Sequence, residues 1–466
     1  MSRNKIQYGR PKKAKQTPSQ FNITIDNLSL EGRGVARNKG KTVFVEGAIP
    51  GEMLTVKIEK QHKHYDEASI VAINTASEHR ISPQCEHYND CGGCQLQHIE
   101  TDAQLNFKQQ AVLSLLARGA KITPTKIDTP LSSSGFHYRR SARIGVNFIT
   151  QTQTAIVGFR RSNSNQLLQV SNCMVLPEYL SGLFDQLRNT LENIENAKTI
   201  THVEYLQGDT TGALTFRAMS KLSTQTCAML EKLLQNFKLQ GFIRYDDQVV
   251  PLANNPGSLD YNVNQLSLSF KPGDFLQVNA AVNQQMISRA VQWLALNKKD
   301  RILDLFCGLG NFSLPIAQQV KSLTGVEGST TMVERATANA AQNNLDNAQF
   351  FSADLSQDIQ GKSWFTNSYN KLIIDPPRNG ASEVISQLLT ANEEGTSINP
   401  SHILYIACDP SSLVRDAKLL QTLGYQMDKF SVMDMFPNTT HIESMALFVK
   451  RTKRPKKSNT QKLFGH

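Results

Sequence analysis

The chain has 466 residues, 39% hydrophobic and 19% charged, enough to bury the cores of about two to three domains. No apolar run is long enough to span a bilayer, and the basic start has no apolar segment behind it to form a secretory signal, so a cytoplasmic protein with no membrane partner is expected. The net charge of +10 sits in the tails: residues 1–15 carry +6 and residues 450–466 carry +7, with no acid in either, which predicts disordered arms attracted to a polyanion such as nucleic acid.

In chain order, residues 1–16 form the first basic arm and 17–75 an all-β unit. Phe21-Asn22-Ile23-Thr24-Ile25 alternates, Thr42-Val43-Phe44-Val45 is a strand, and Met53 to Ile58 and Ala68 to Ile73 continue the set, with turns at Gly32, Gly34 and Gly40. Short strands with glycine turns predict a five-stranded OB-like barrel, an architecture used on RNA. Cys85, Cys91 and Cys94 follow. A helix from Thr101 to Arg118 opens with Gln104 in capping-box spacing and closes at Gly119; it is expected to pack on the catalytic domain. The remainder of 76–270 reads as a mixed α+β central domain. Its strand-like run from Tyr138 to Val146 holds Arg139, Arg140 and Arg143, and Arg160 and Arg161 follow; these are candidate RNA contacts or ordinary structural arginines. Cys227 reads as helix core.

From 271 to 449 the pattern becomes alternating β and α, predicting a doubly wound α/β domain. A helix from Ala280 to Leu296 is capped by Asn279. Strands are expected at Arg301–Leu305, Leu323–Glu327, Lys371–Asp375 and His402–Ala407, and helices at Leu314–Val320 and Ser329–Asn344. The turn Asp304-Leu305-Phe306-Cys307-Gly308-Leu309-Gly310-Asn311-Phe312 joins the first strand to its helix. Its glycines allow close backbone approach to a ligand, and Glu327, ending the next strand, suits the two ribose hydroxyls of an adenosine cofactor. The third glycine of the dinucleotide fingerprint is missing, and Phe312 and Ser313 stand where a pyrophosphate would need open backbone. A donor without phosphates fits better, which points to S-adenosylmethionine.

Asp375-Pro376-Pro377-Arg378 ends its strand without the aromatic that amino-group methyltransferases carry after such a Pro-Pro pair, leaving carbon as the target. Uracil C5 is too weak a nucleophile to attack a methyl sulfonium. A thiolate added to C6 makes it an enolate, and a base must later remove the C5 proton. Cys408, closing the run Ile403 to Ala407 before Asp409-Pro410, is a candidate thiol, although alone it also reads as a small buried hydrophobe. Glu443, before the apolar strand Met445 to Phe448, is a candidate base or a solvated surface charge. Cys85, Cys91, Cys94 and the distant Cys173 suit structural zinc or an iron–sulfur cluster.

Together, Phe275 to Asn279, Asp304 to Phe312, Asp375 to Arg378, Cys408-Asp409-Pro410 and Phe436 to Glu443 resemble the RNA uracil-C5 methyltransferases over nearly the whole chain. The resemblance implies a Rossmann-like methyltransferase domain, a TRAM domain over 17–75, Cys408 as nucleophile and Glu443 as base. It places Gln277, Phe306, Asn311, Glu327, Asp354 and Asp375 around S-adenosylmethionine, and a [4Fe–4S] cluster on Cys85, Cys91, Cys94 and Cys173. Asp409 departs from the family's usual Cys-Asn-Pro. The TRAM-like unit with four cluster cysteines resembles the 23S ribosomal RNA branch and implies a monomer acting on that RNA. The same reaction on transfer RNA, or a noncatalytic role in ribosome assembly, are the alternatives; the presence of both Cys408 and Glu443 argues against the latter.

Overall fold

A computed structural model describes residues 20–246, 248–253, 257–365, 368–390 and 397–451. The amino-terminal arm and all of the carboxyl-terminal arm beyond Arg451 lie outside the described residues. Lys450, counted with that arm from its charge, is instead the last residue of a strand, and its ammonium lies 4.5 Å from the centroid of the Tyr425 ring. The described residues form two compact units, one reaching Ser82 and including His98–Glu100, the other made of Pro83–Gln97 and the chain from Thr101 onward.

The first unit is a six-stranded sheet of Gln20–Thr24, Asn27–Leu28, Gly34–Asn38, Lys41–Val45, Met53–Gln61 and Tyr65–Thr75, one strand more than expected. Inward positions at Ile23, Val43, Val45, Leu54 and Val56 share one apolar cluster, as period-two alternation requires. Gly34 is required sterically: a Cβ there would lie 2.7 Å from that of Ala48. Glu52, fully buried, accepts from Arg80 Nε (2.5 Å), Arg80 Nη2 (2.7 Å) and Ile49 N (2.9 Å). Burial pushes its carboxyl up, but these donors outweigh burial and hold it below its ordinary value.

The second unit holds two large sheets. One has seven strands, in the order Leu167–Gln169, Thr154–Arg160, Ser141–Ile149, Ile200–Gln207, Gly212–Ala218, Leu239–Tyr245 and Gln248–Pro251. The helices Leu183–Asn193 and Thr224–Asn236 contribute to its apolar cluster. Cys227, on the second of these helices, is half-buried rather than core, because the buried stripe runs through Thr226, Leu230, Leu233 and Leu234.

The other sheet has eight strands, in the order Ala348–Ser352, Ser322–Glu327, Arg301–Leu305, Lys371–Ile374, His402–Ala407, Glu443–Lys450, Tyr425–Met433 and Lys126–Ile127. The first five are parallel, and Glu443–Lys450 runs antiparallel to both its neighbours. Ile302, Leu303, Leu305, Leu372, Ile373, Ile374 and Ile403 to Ile406 are wholly buried, which is why these strands read as continuous apolar runs. Ala348–Ser352 is an edge strand with no buried residue, so it gives no such run.

Asn279 caps the helix Ala280–Leu294 through Val282 N (3.2 Å). The other helices around the sheet are Ser313–Ala317, Thr330–Gln342, Ser382–Leu389 and Pro410–Thr422. The helix Thr101–Gly119 packs on Pro410–Thr422 and on the strand Tyr425–Met433. Its Gln104 side chain, expected to close a capping box, reaches toward the loop after that strand. Among the described residues no helix is long and apolar enough to cross a membrane.

At the opposite end of the sheet from the strand carboxyl termini, Lys371 donates to Asp300 Oδ2 at 2.7 Å, and both are buried. Burial alone would raise the Asp300 carboxyl, but bonds from Lys371, Asn370 and Asn297 hold it below its ordinary value. The resulting stabilisation is present at neutral pH and lost as acid protonates the carboxylate. Replacing Lys371 by Met leaves a buried anion without its cation and should cost about 3–5 kcal/mol. Urea unfolding at pH 7 checks this, and the deficit should shrink toward pH 3.

Candidate active site

The carboxyl ends of the five parallel strands form one rim, and the amino end of the antiparallel strand returns to it. Phe306, Glu327, Asp375 and Cys408 each stand at or one residue past a parallel strand end, while Glu443 opens the antiparallel strand. Ala407 pairs with Ser444, so Cys408 and Glu443 follow as the next pair of positions across two adjacent strands. Residues 35 apart in sequence therefore meet through a backbone register.

The turn after the first strand is shaped for close approach. Phe306 has a left-handed φ of 62°, Gly308 55° and Gly310 98°. A non-glycine residue held there stores about 1–3 kcal/mol of strain, a feature found at ligand clamps. Bonds from Phe306 N (2.8 Å) and Cys307 N (3.2 Å) to Val326 O fix the turn against the next strand. Glu327 Oε2 accepts from Gly308 N (3.2 Å) and Oε1 from Ser329 N (3.0 Å), so the carboxylate is oriented while each oxygen keeps a lone pair for a hydroxyl.

Asn311 is fixed by residues the sequence did not single out. Its Oδ1 accepts from Tyr261 OH (3.0 Å) and Asn283 Nδ2 (2.9 Å), and its Nδ2 donates to Asn283 Oδ1 (2.9 Å). Asn283 is buried on the same face of its helix as Met286, Ile287 and Ala290. A polar residue in that apolar stripe was the available signal.

Arg140 extends this network. It is 5% exposed, its guanidinium lies over the Tyr261 ring at 4.6 Å, and its Nε donates to Gln277 O at 2.6 Å. Its candidacy as an RNA contact is therefore corrected: a buried guanidinium spent on a carbonyl and a ring does not reach phosphate. Asp354 is exposed beyond the edge strand, its Oδ1 accepting from Ser356 N (2.9 Å) and Oγ (2.7 Å).

Acids crowd the rim. Asp304 is fully buried, bonded by Ser313 Oγ at 2.5 Å, and its Oδ1 has no hydrogen-bond partner. Burial, aided by Asp375 and Glu327, pushes its carboxyl up to about 7 against that bond. Burial likewise raises Asp375 to about 7, and burial with the neighbouring Asp375 raises Glu443 well above the usual carboxylate range. The Cys408 thiol is pushed up to about 11, first by burial and then by Glu443 and Asp375, against the Arg378 guanidinium.

Two devices hold Cys408 and Arg378 in this arrangement. Asp409 caps the helix Pro410–Thr422 by accepting from Ser412 N at 2.8 Å, which an Asn would also do; the departure from Cys-Asn-Pro preserves the local geometry. The buried Asp416 accepts from Ala381 N (2.6 Å) and Tyr405 OH (2.6 Å), tying the loop that carries Arg378 to this helix. Cys307, the other thiol near the rim, is buried, and burial pushes its thiol up, aided by Asp304 and Glu327.

The remaining cysteines meet elsewhere. Cys85, Cys91, Cys94 and Cys173 all line one cavity of about 320 Å³, together with Arg139, Arg143, Thr439 and His441. Burial raises all four thiols, Cys94 to about 11 and Cys173 to about 12. Among the described residues no group of three His, Cys, Asp or Glu side chains is placed to hold a single metal ion. Arg161 is bridged to Asp90 at 3.3 Å, whereas Arg143 and Arg160 are exposed.

The parallel sheet with its terminal antiparallel strand, the glycine turn and the acid closing the second strand define a Rossmann-like methyltransferase domain. The chain belongs to the tRNA (uracil-5-)-methyltransferase family, whose model matches residues 100–451, and a TRAM domain matches residues 15–71. It is 42% identical to the 23S rRNA (uracil(1939)-C(5))-methyltransferase RlmD of Psychromonas ingrahamii over 92% of this chain and 95% of that protein. The protein of the same name from Aeromonas hydrophila is 37% identical over 96% of this chain and 100% of its own length. Among solved structures, the Pyrococcus abyssi tRNA (uracil-54, C5)-methyltransferase in complex with S-adenosyl-L-homocysteine superposes with a TM-score of 0.68 at 20% identity, covering 92% of this chain and 99% of that one. That likeness is one of fold.

The charges around Cys408 give a direct test. Alkylation of this residue, followed by mass spectrometry of its peptide, should titrate with an inflection near pH 11. Arg378→Ala removes the cation that opposes the shift and should move the inflection up. Glu443→Gln removes an anion and should move it down.

Proposed function

We propose that this protein transfers a methyl group from S-adenosylmethionine to C5 of a uridine in 23S ribosomal RNA. The observation that carries the reading is the placement of Cys408 and Glu443 one residue beyond the Ala407–Ser444 pair of two adjacent antiparallel strands, at the rim that also holds the glycine turn and Glu327. The near full-length relatives named for 23S rRNA favour that substrate.

In this reading the Cys408 thiol gives up its proton to solvent and the thiolate Sγ bonds to C6 of the flipped-out uracil, placing electron density on C5. The donor would supply a methyl group activated by its sulfonium charge; C5 bonds to that methyl through the enolate pair, and the S–CH3 pair stays on the donor sulfur, which becomes neutral. Glu443, as a carboxylate, then removes the C5 proton; the freed pair restores the C5–C6 double bond and expels the Cys408 thiolate. Burial and the neighbouring Asp375 raise the Glu443 carboxyl, which makes its carboxylate a stronger base toward the C5 proton. Gln277, Phe306, Asn311, Glu327, Asp354 and Asp375 hold the donor, Glu327 through its ribose hydroxyls.

Four half-buried thiols lining one cavity supply the soft sulfur donors that an iron–sulfur cluster takes, and the resemblance to the ribosomal RNA branch favours the cluster over zinc. We read Cys85, Cys91, Cys94 and Cys173 as ligands of a [4Fe–4S] cluster, residues 76–270 as the central domain that carries them, and 271–449 as the catalytic domain. A monomer in the cytoplasm, where ribosomal RNA is made and modified, completes the reading.

The second reading, transfer RNA as substrate, is favoured by the name of the matching family. Labelled donor with a 23S fragment or with transfer RNA separates the two. On RNA containing 5-fluorouridine the protein should form a stable covalent adduct, absent in Cys408→Ala; no adduct in the unmodified protein would overturn the mechanism. Glu443→Gln should accumulate a methylated adduct on ordinary RNA, and normal turnover there would remove Glu443 from its role. Anaerobically purified protein should contain about four iron and four acid-labile sulfide per chain; stoichiometric zinc instead would refute the cluster.

A further inference from the structure

The loop Asp434–Ile442, which delivers Glu443 to the rim, is held from outside by two segments far away in sequence. Asn438 lies at its turn with a left-handed φ of 64° and is almost wholly buried. Its carbonyl accepts from Gln95 N (2.9 Å) and Leu96 N (3.0 Å), directly after Cys94. Gln104, fully buried on the helix Thr101–Gly119, grips the same residue twice: its Oε1 accepts from Asn438 N (3.0 Å) and its Nε2 donates to Asn438 Oδ1 (3.0 Å). The same Nε2 donates to Leu96 O (3.0 Å), joining the two holding segments.

Further anchors lie on either side of the turn. Asn438 Nδ2 donates to Gly135 O (2.7 Å), Tyr138 OH to Pro437 O (3.1 Å), and Lys108 to Asp434 Oδ1 (3.0 Å) and Phe436 O (3.3 Å). These bonds are buried or half-buried, where a paired polar group resists movement more than the same group in water. Thr439 and His441, in the same loop, line the cysteine cavity.

We propose that Gln104 is a positioning residue for the base: with the Gln95–Leu96 backbone it fixes the Asn438 turn and so sets the reach of Glu443 toward the C5 proton. It touches neither RNA nor donor in this role. The proposal rests on the reading of Glu443 as the base and adds the group that aims it. Cys408 is held by a different device, the Asp409 cap and Asp416, so loosening the Asn438 turn separates the two halves of the reaction. Attack on C6 proceeds, and removal of the C5 proton slows.

The test uses the full chain with two variants. Gln104→Met keeps the volume and removes the hydrogen bonds to Asn438 and Leu96. Asn438→Gly keeps the left-handed backbone and removes the side-chain grip, so it remains informative if the first variant fails to fold. In each, the rate of adduct formation on 5-fluorouridine RNA should stay within about twofold. Turnover on ordinary RNA should fall roughly ten- to a hundredfold, as for a displacement of the order of an ångström, with methylated adduct accumulating. Amide exchange should quicken in residues 434–443 and stay unchanged in residues 301–327, and donor affinity should be retained.

Unchanged turnover with unchanged exchange overturns the proposal, and so does a parallel fall in adduct formation and turnover. Glu443→Gln run alongside distinguishes the two levels. If it too fails to accumulate adduct, the reading of the base is wrong; if it accumulates adduct while Gln104→Met and Asn438→Gly turn over normally, only the positioning role is wrong.

Discussion

The active rim depends on one backbone register, that of Glu443–Lys450 running antiparallel against His402–Ala407 with Ser444 opposite Ala407. Five parallel strands bring their carboxyl ends to the same edge because each is reached by a crossover connection. A further parallel strand in that position would have sent its own carboxyl end there and its amino end to the far side. The antiparallel strand reverses this, so an acid that opens a strand meets a thiol that follows one. A slip of one residue would turn Glu443 to the other face of the sheet, and the buried neighbours Met445 and Leu447 resist it.

Charge is the second constraint. Asp304, Asp375 and Glu443 sit in a rim where burial raises all three, and Arg378 is the cation that opposes the shift at Cys408. An isolated rim of this kind favours protonated carboxyls and a neutral thiol. A cationic donor bound beside these acids would favour their charged forms, since an opposite charge nearby lowers a carboxyl. On the proposed chemistry the donor loses its positive charge when the methyl leaves, which weakens its attraction to the same acids as product forms.

The loop preceding Glu443 links this rim to the rest of the second unit. Its anchors come from the segment after Cys94, from the helix Thr101–Gly119 and from Gly135 and Tyr138. The region that carries the cysteines therefore also anchors the loop leading to Glu443. The crossed amide pair of Asn283 and Asn311 does the same for the glycine turn, with Arg140 and Tyr261 behind it. Both networks are built from buried polar groups that are costly to leave unpaired.

The buried strands and the residues at their ends were legible in the amino-acid sequence, because a strand covered on both faces must be a continuous apolar run and must stop where solvent begins. This is how Arg301–Leu305, His402–Ala407 and the positions of Phe306, Glu327, Asp375 and Cys408 could be read. Edge elements such as Ala348–Ser352 were not, since half-exposed strands leave no such run. The tertiary structure alone decided which ends became neighbours and which polar side chains became buried. Arg140 reads as a surface cation until Tyr261 covers it, and Gln104 reads as a cap until Asn438, more than three hundred residues away, becomes its partner. Local pattern records how each segment is covered; it carries no record of the distant backbone group that will satisfy a buried amide.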